Sequence, residues 1–275
     1  MTQFDFGKNW YEFSKNSLNA EKVAQARKDF SDLLRGIPLQ GKTFLDIGFG
    51  QGLSQLIAAE MGAITCGCDI NPKCKETLEA NRYYFPLIKP DACIHIVVGS
   101  ILDANIIVQL KAFNLEQGGA FDIVHSWGVL HHTGDIKKAL KIAISLVSDE
   151  GYLIIAIYNN HWSSLIWKAI KWSYNKSPFP IKKIFIALFY PVIYMVKYLV
   201  TRENPLNQSR GMDFFYNVID WIGGYPYEYA SVLEVKGMLS REGFSCIRSM
   251  PAKVPTGCNE FVFRKQRRAI DGPYL

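Results

Sequence analysis

The chain lacks most of the features that would take it out of the ordinary globular class. Its uncharged apolar run "IFIALFYPVIYMV", at 184–196, is 13 residues long and contains Pro191. A membrane-spanning helix needs about 20, so no transmembrane span is expected. The run reads as a helix kinked or broken near the proline. Peripheral contact with a membrane interface is the alternative, since Lys182, Lys183 and Lys197 stand at its ends. The opening "MTQFDFGKNWYEF" has no basic stretch followed by an apolar one, so no secretory signal is expected. Six cysteines form no dense framework and read as reduced thiols, which points to the cytoplasm. Cys66, Cys68 and Cys74 are too few for a four-ligand zinc site. They read as small apolar residues, and no metal is expected. Charged residues make up 20% and apolar ones 49% of 275, enough to bury a core and too apolar for intrinsic disorder.

Strand and helix signals alternate through the first half. "KTFLDIG", "AITCGCDI", "ACIHIVVGS", "FDIVHS" at 121–126 and "YLIIAIYN" read as five strands. Between them lie helical patterns: "QGLSQLIAAEMG", "NPKCKETLEANRYYF" with proline in its first turn, and the amphipathic "DIKKALKIAISLVSDEG". This alternation predicts an α/β fold with a doubly wound, largely parallel sheet. It stops at 160. Residues 160–222 read as aromatic-rich helices, and a helix and two strands follow, from "SVLEVKGMLSREG" to "CNEFVFRK". The predicted organisation is a core of residues 1–159 and 223–275, with a helical cap inserted at 160–222.

In "FLDIGFGQGLSQ", at 44–55, three glycines follow the first strand. Their spacing is G-x-G-x-G, with Leu53 where a dinucleotide fingerprint has its third glycine, and no Gly-Lys-Ser/Thr follows. That disfavours a nicotinamide dehydrogenase, the alternative from another class. Asp46 precedes the turn, where it repels a pyrophosphate and suits a cation. Asp69 ends the second strand, 17 residues after Gly52, where a carboxylate can accept from two ribose hydroxyls. A ligand with a ribose, no phosphate and a cationic amino-acid end is S-adenosylmethionine.

"FLDIGFGQG", "GCDINP", "GSILD", "FDIVHSWGVLHHTGD" and "LVSDEGYLIIAIYN", in this order, resemble the five motifs of class I S-adenosylmethionine-dependent methyltransferases. "FGKNWYEF", "RGMDFFYNVIDWIGGYPYE" and "GCNEFVF" extend the resemblance to a bacterial group with an inserted helical cap. Phe49 and Gln51 depart from the small residues more usual in the first motif. The resemblance implies a seven-stranded sheet with its last strand antiparallel. It implies that Gly48, Gly50 and Gly52 let the backbone approach the cofactor, that Asp46 orients its ammonium, and that Asp69 holds the ribose. Ile70 covers the adenine on one side, and Ser100 and Ile101 on the other. Ser126, Trp127 and Gly128 border the methionine end, and Trp10 and Tyr11 could lid the site.

Methyl transfer to a hydroxyl needs a base, whereas transfer to a neutral amine need not. His132 is the first candidate, followed by His131, Asp220 and Glu228; His125, inside the fourth strand, reads as a core histidine. Arg210 and Tyr225 are candidates for binding the acceptor. Residues 160–210 carry eight basic residues and one acid, Glu203, a net of 8 − 1 = +7 in a chain of net charge +6. Most of these lysines read as solvated. The excess suggests a small-molecule acceptor that is anionic or phosphate-linked, such as a glycan precursor or specialised metabolite, methylated on oxygen. An amine or a lipophilic phenol or quinone-type oxygen is the alternative. Nucleic-acid binding is not expected, because the basic residues are interleaved with large apolar ones.

Overall fold

The structure is a computed structural model that describes residues 3–207 and 209–267; the last part of the expected core, 268–275, lies outside the described residues. Helices α1 (Phe6–Asn16) and α2 (Ala20–Leu33) precede a run of β1 (Thr43–Ile47), α3 (Leu53–Glu60), β2 (Ile64–Asp69), α4 (Pro72–Asn81), β3 (Ile94–Val98), α5 (Ala104–Phe113), β4 (Phe121–Trp127), α6 (Ile136–Ser145) and β5 (Val147–Tyr158). Then come α7 (Ser164–Lys176), α8 (Phe179–Thr201), α9 (Phe214–Gly223), α10 (Val232–Arg241), β6 (Phe244–Met250) and β7 (Cys258–Lys265).

The seven strands form one sheet in the order β3-β2-β1-β4-β5-β7-β6. β1 to β5 pair in parallel, and β7 runs antiparallel between β5 and β6. This is the doubly wound sheet with an antiparallel last strand that the motifs imply. Because both faces of β1 are covered, its five residues are all buried, as a strand inside a parallel sheet should be. On one face, Leu45 and Ile47 pack with Leu110 of α5, Leu140 of α6 and Leu239 of α10. On the other, Phe44, Ile123 and Ile154 pack with Phe30 of α2, Leu56 of α3 and Leu78 of α4. β2 and β3 lie to one side of β1, and β4 and β5 to the other. The crevice that opens at the strand ends of such a switch is where open α/β sheets bind ligands.

Local chemistry sets the helix starts. Asn71 caps α4 with Pro72 in its first turn, and Ser231 with Glu234 forms a reciprocal capping box on α10. Two boundaries differ from expectation. β5 begins at Val147, inside the predicted helix, because Leu146 closes α6 and Val147 already pairs with Phe121. α8 is not broken at Pro191; it runs 23 residues through it. The ring removes one N–H from the helix ladder without ending it. By length and composition α8 is the one described helix that could cross a membrane.

Candidate active site

A cavity of about 510 Å³ opens at the carboxyl ends of β1, β2 and β4, between α1, the glycine turn and α9. The turn after β1 is built from left-handed backbone: Gly48, Gly50 and Gly52 have φ of +73°, +55° and +80°, a region that side chains resist. A Cβ at Gly48 would stand 2.4 Å from Val129, and one at Gly52 2.5 Å from Leu78. Gly52 caps α3 and packs on α4; Gly48 and Gly50 line the cavity. Trp10 of α1 closes over the turn, 3.2 Å from where a Gly50 Cβ would lie.

Asp69 accepts from the Gly50 N–H at 3.0 Å through Oδ2 and from the Asn71 N–H at 2.9 Å through Oδ1. Burial pushes its carboxyl above the usual range, against those two hydrogen bonds. A carboxylate has about four acceptor sites, so it braces the turn and the start of α4 and still faces the cavity. Ile70, Ser100, Ile101, Trp127 and Gly128 line the same space. A Cβ at Gly128 would meet nothing within 4 Å.

Asp46 is buried on the cavity floor, where Oδ1 accepts from His125 Nδ1 at 2.7 Å. His125 is more than a packed core ring: it stacks between Phe44 and Trp127 and fixes the carboxylate. Arg210 lies above Trp127, its guanidinium carbon 3.9 Å from the ring centroid, and donates to Ser54 Oγ. Burial lowers its pKa to about 10, with Glu260, Asp46 and Asp29 opposing the shift. It stays cationic at neutral pH.

At the other end, Asp220 of α9 lines the cavity and accepts from Asn9 Nδ2 of α1 at 2.6 Å. Burial raises its pKa to about 7, although Asn9 and Lys171 pull it down. Lys171 of α7 is 0% exposed. Its ammonium donates to the Trp221 carbonyl and lies over the rings of Tyr227 and Tyr158, at 4.8 and 5.3 Å. Burial lowers its pKa to about 7, and Asp220 opposes that. The two groups act on each other electrostatically, Asp220 in the cavity wall and Lys171 outside it.

The remaining predicted residues divide. His131 and His132 both line the cavity, but neither titrates near the 6–7 expected of a histidine base. Burial, with Lys171 and His132 nearby, holds His131 well below its ordinary value. His132 falls to about 3, again through burial and Lys171. His131 accepts the Tyr158 N–H, and His132 Nδ1 donates to the Pro226 carbonyl at 2.6 Å. Glu228 is not at the cavity; its carboxylate accepts the Ile136 N–H at the start of α6. Tyr225 is not among the lining residues, and its carbonyl accepts from Phe4 N. Tyr11 points to solvent. The Ser126 hydroxyl donates to the Ile47 carbonyl, tying β4 to β1 below the site.

Two side chains escaped the sequence reading. Lys171 was counted among solvated lysines, and Asn9 was quoted without a role. The signal for Lys171 was its spacing: it shares a helix face with Trp167 and Tyr174 at i−4 and i+3, both of which face the interior.

The glycine turn, the buried acid that ends β1 and the acid that ends β2 fit a ribose-bearing, zwitterionic ligand and make the class that of S-adenosylmethionine-dependent enzymes. Residues 19–186 match the family model described as "Methyltransferase domain", and the chain belongs to that family. It is similar to a ubiquinone biosynthesis O-methyltransferase from Bordetella avium, 24% identical over 161 residues, which is 58% of this chain and 61% of that protein. The match therefore spans less than two thirds of that relative. Among solved structures, magnesium protoporphyrin IX methyltransferase from Synechocystis PCC 6803 with bound S-adenosylmethionine has a TM-score of 0.51 at 13% identity, covering 97% of this chain and 100% of that one. An O-methyltransferase family protein from Burkholderia thailandensis has a TM-score of 0.52 at 12% identity, covering 90% and 58%. These structures show the shared fold. The chain is an S-adenosylmethionine-dependent methyltransferase, and the nicotinamide-dehydrogenase alternative is set aside. Among the described residues, no group of three or more His, Cys, Asp or Glu is arranged to hold a metal ion.

Proposed function

We propose that the chain methylates a hydroxyl on a small acceptor with an apolar, aromatic body, and that Asp220 takes the hydroxyl's proton. Bound S-adenosylmethionine supplies an electrophilic methyl on a positive sulfonium. Gly48 and Gly50 admit the backbone close to it, Asp69 accepts from its ribose, and Ile70, Ser100 and Ile101 flank its adenine. Asp46 and Arg210, opposite in charge and within electrostatic reach of each other, suit the ammonium and carboxylate of its amino-acid end. Arg210 thereby moves from the acceptor to the cofactor.

The observation that carries the proposal is Asp220, a half-buried carboxyl in the cavity wall with a pKa raised to about 7. A base is most effective when its pKa lies near the working pH. Asn9 fixes its orientation, and Lys171 behind it stabilises the ionised form. His132, at about 3, is too weak a base to lead. Phe6, Phe214, Val218 and Trp221 complete an apolar wall beside it, which favours the lipophilic phenol or quinone-type acceptor over the anionic one. The similarity to an enzyme of ubiquinone biosynthesis supports the same reading. The anionic acceptor keeps one argument of its own: Lys197 lines the cavity.

The test is a panel of phenols, amines and phosphorylated hydroxyl compounds, read by release of S-adenosylhomocysteine. Phenols should turn over, and Asp220→Asn should lower kcat about 100-fold with cofactor affinity unchanged. The rate should rise with pH through about 7, because the base works only when ionised. Turnover confined to phosphorylated compounds would replace the apolar acceptor with the anionic one. Full activity in Asp220→Asn would remove the base.

A further inference from the structure

The outer face of α8 is the strongest unexplained feature of the molecule. Ile181, Ile184, Leu188, Val192, Met195 and Leu199 are all exposed. Their spacing of 3, 4, 4, 3 and 4 residues keeps them on one narrow stripe of a helix with 3.6 residues per turn. The opposite face is occupied: Ile193 is buried, Phe189 packs on Trp167, and Tyr190 and Tyr194 pack on Phe214. An apolar stripe this long on a protein surface marks a docking site. We propose that α8 docks in the plane of a membrane interface, on a surface rich in anionic lipid.

Three observations select that occupant. Of the basic residues of 160–210, Lys168, Lys176, Lys182, Lys183 and Arg202 are exposed or half-buried, against one acid, Glu203, so the apolar stripe belongs to a basic part of the surface. Apolar insertion combined with basic flanks is how an interfacial helix binds anionic lipid. A second copy of the chain on this stripe would bring two basic surfaces together, which is repulsive. Aromatic residues suited to a headgroup layer are exposed nearby: Trp162, Trp172 and Tyr198. A spanning orientation, although α8 is long enough, would strip away the packing of Phe189, Tyr190 and Tyr194. The helix therefore lies in the interface. Lys197 of α8, with Phe214, Val218 and Trp221 of α9, lines the cavity, so the helix that docks is also part of the cavity wall. This inference stands whatever the acceptor.

The test is co-sedimentation of the full chain with phosphatidylcholine vesicles, with and without phosphatidylglycerol. Binding should need phosphatidylglycerol and weaken as salt is raised. Lys182→Gln with Lys183→Gln should lower partitioning about tenfold. Leu188→Glu with Val192→Glu should abolish it, while calorimetric affinity for S-adenosylmethionine stays that of the unaltered chain. These positions are exposed, so the fold tolerates the change. No binding to either vesicle overturns the proposal, as does binding indifferent to the Leu188→Glu, Val192→Glu pair. A dimer in analytical ultracentrifugation that this pair dissociates assigns the stripe to a second copy instead. Resistance to alkaline carbonate extraction from vesicles makes α8 a spanning helix and equally overturns it.

Discussion

Two stretches of this chain are almost wholly apolar, and they have opposite fates. In β5, residues 153–157 (Leu, Ile, Ile, Ala, Ile) are each 0% exposed. In α8, Ile193 is the one buried residue in a helix of 23. Composition does not distinguish them; neighbours do. β5 lies between β4 and β7 with a helical layer on each face. α8 has α7 and α9 on one side and, among the described residues, an exposed stripe on the other. Apolarity shows that a segment will be covered, and topology decides whether the chain itself supplies the cover.

The comparison can be broken by substitution. Ile155→Ala should cost about 2–5 kcal/mol, the range for truncating a core aliphatic, read as a lower urea midpoint with unchanged slope. Lys171→Met removes the buried ammonium that acts on Asp220. Removing the cation raises the Asp220 pKa further, so the rising limb of the pH–rate profile moves to higher pH, at about 1.4 kcal/mol per unit; an unmoved limb would dissociate the pair. Phe189→Ala, on the packed side of α8, should cost about 1–2 kcal/mol, less than a fully buried aromatic, and speed amide exchange in α8 and α9 before β5. Leu188→Ser, on the outer stripe, should stay within about 0.5 kcal/mol. A Leu188→Ser loss equal to that of Ile155→Ala would mean that α8 is covered in the folded protein in solution.

The core was legible because its signals are local. Strand ends, Asn71-Pro72, Ser231 with Glu234, and the glycine turn each specify their own geometry within a few residues. The cofactor side followed, since Asp46, Gly48, Gly50 and Asp69 sit at strand ends that the topology brings together. The acceptor side was less legible. Asp220 and His132 were both named, and the proposed base reverses their order because burial raises the pKa of a carboxyl and lowers that of a histidine. Neither effect is visible until the wall around them is known. Lys171 and Asn9 come from α7 and α1, far from Asp220 in sequence, so their meeting is a product of tertiary packing. Glu228 and Tyr225 failed for the converse reason: they lie in the right loop and face elsewhere.

Helix α1 touches both halves of the site at once. Asp5 accepts from the Asn71 side chain at 2.7 Å, Trp10 covers Gly50, Phe6 lies against His132, and Asn9 holds Asp220. On the proposed reading, with the nucleoside beneath Trp10 and Asp220 as the base, a displacement of α1 that releases the nucleoside would also withdraw Asn9 from Asp220. Cofactor exchange and readiness for chemistry would then exclude each other, and turnover would be paced by the movement of this one helix.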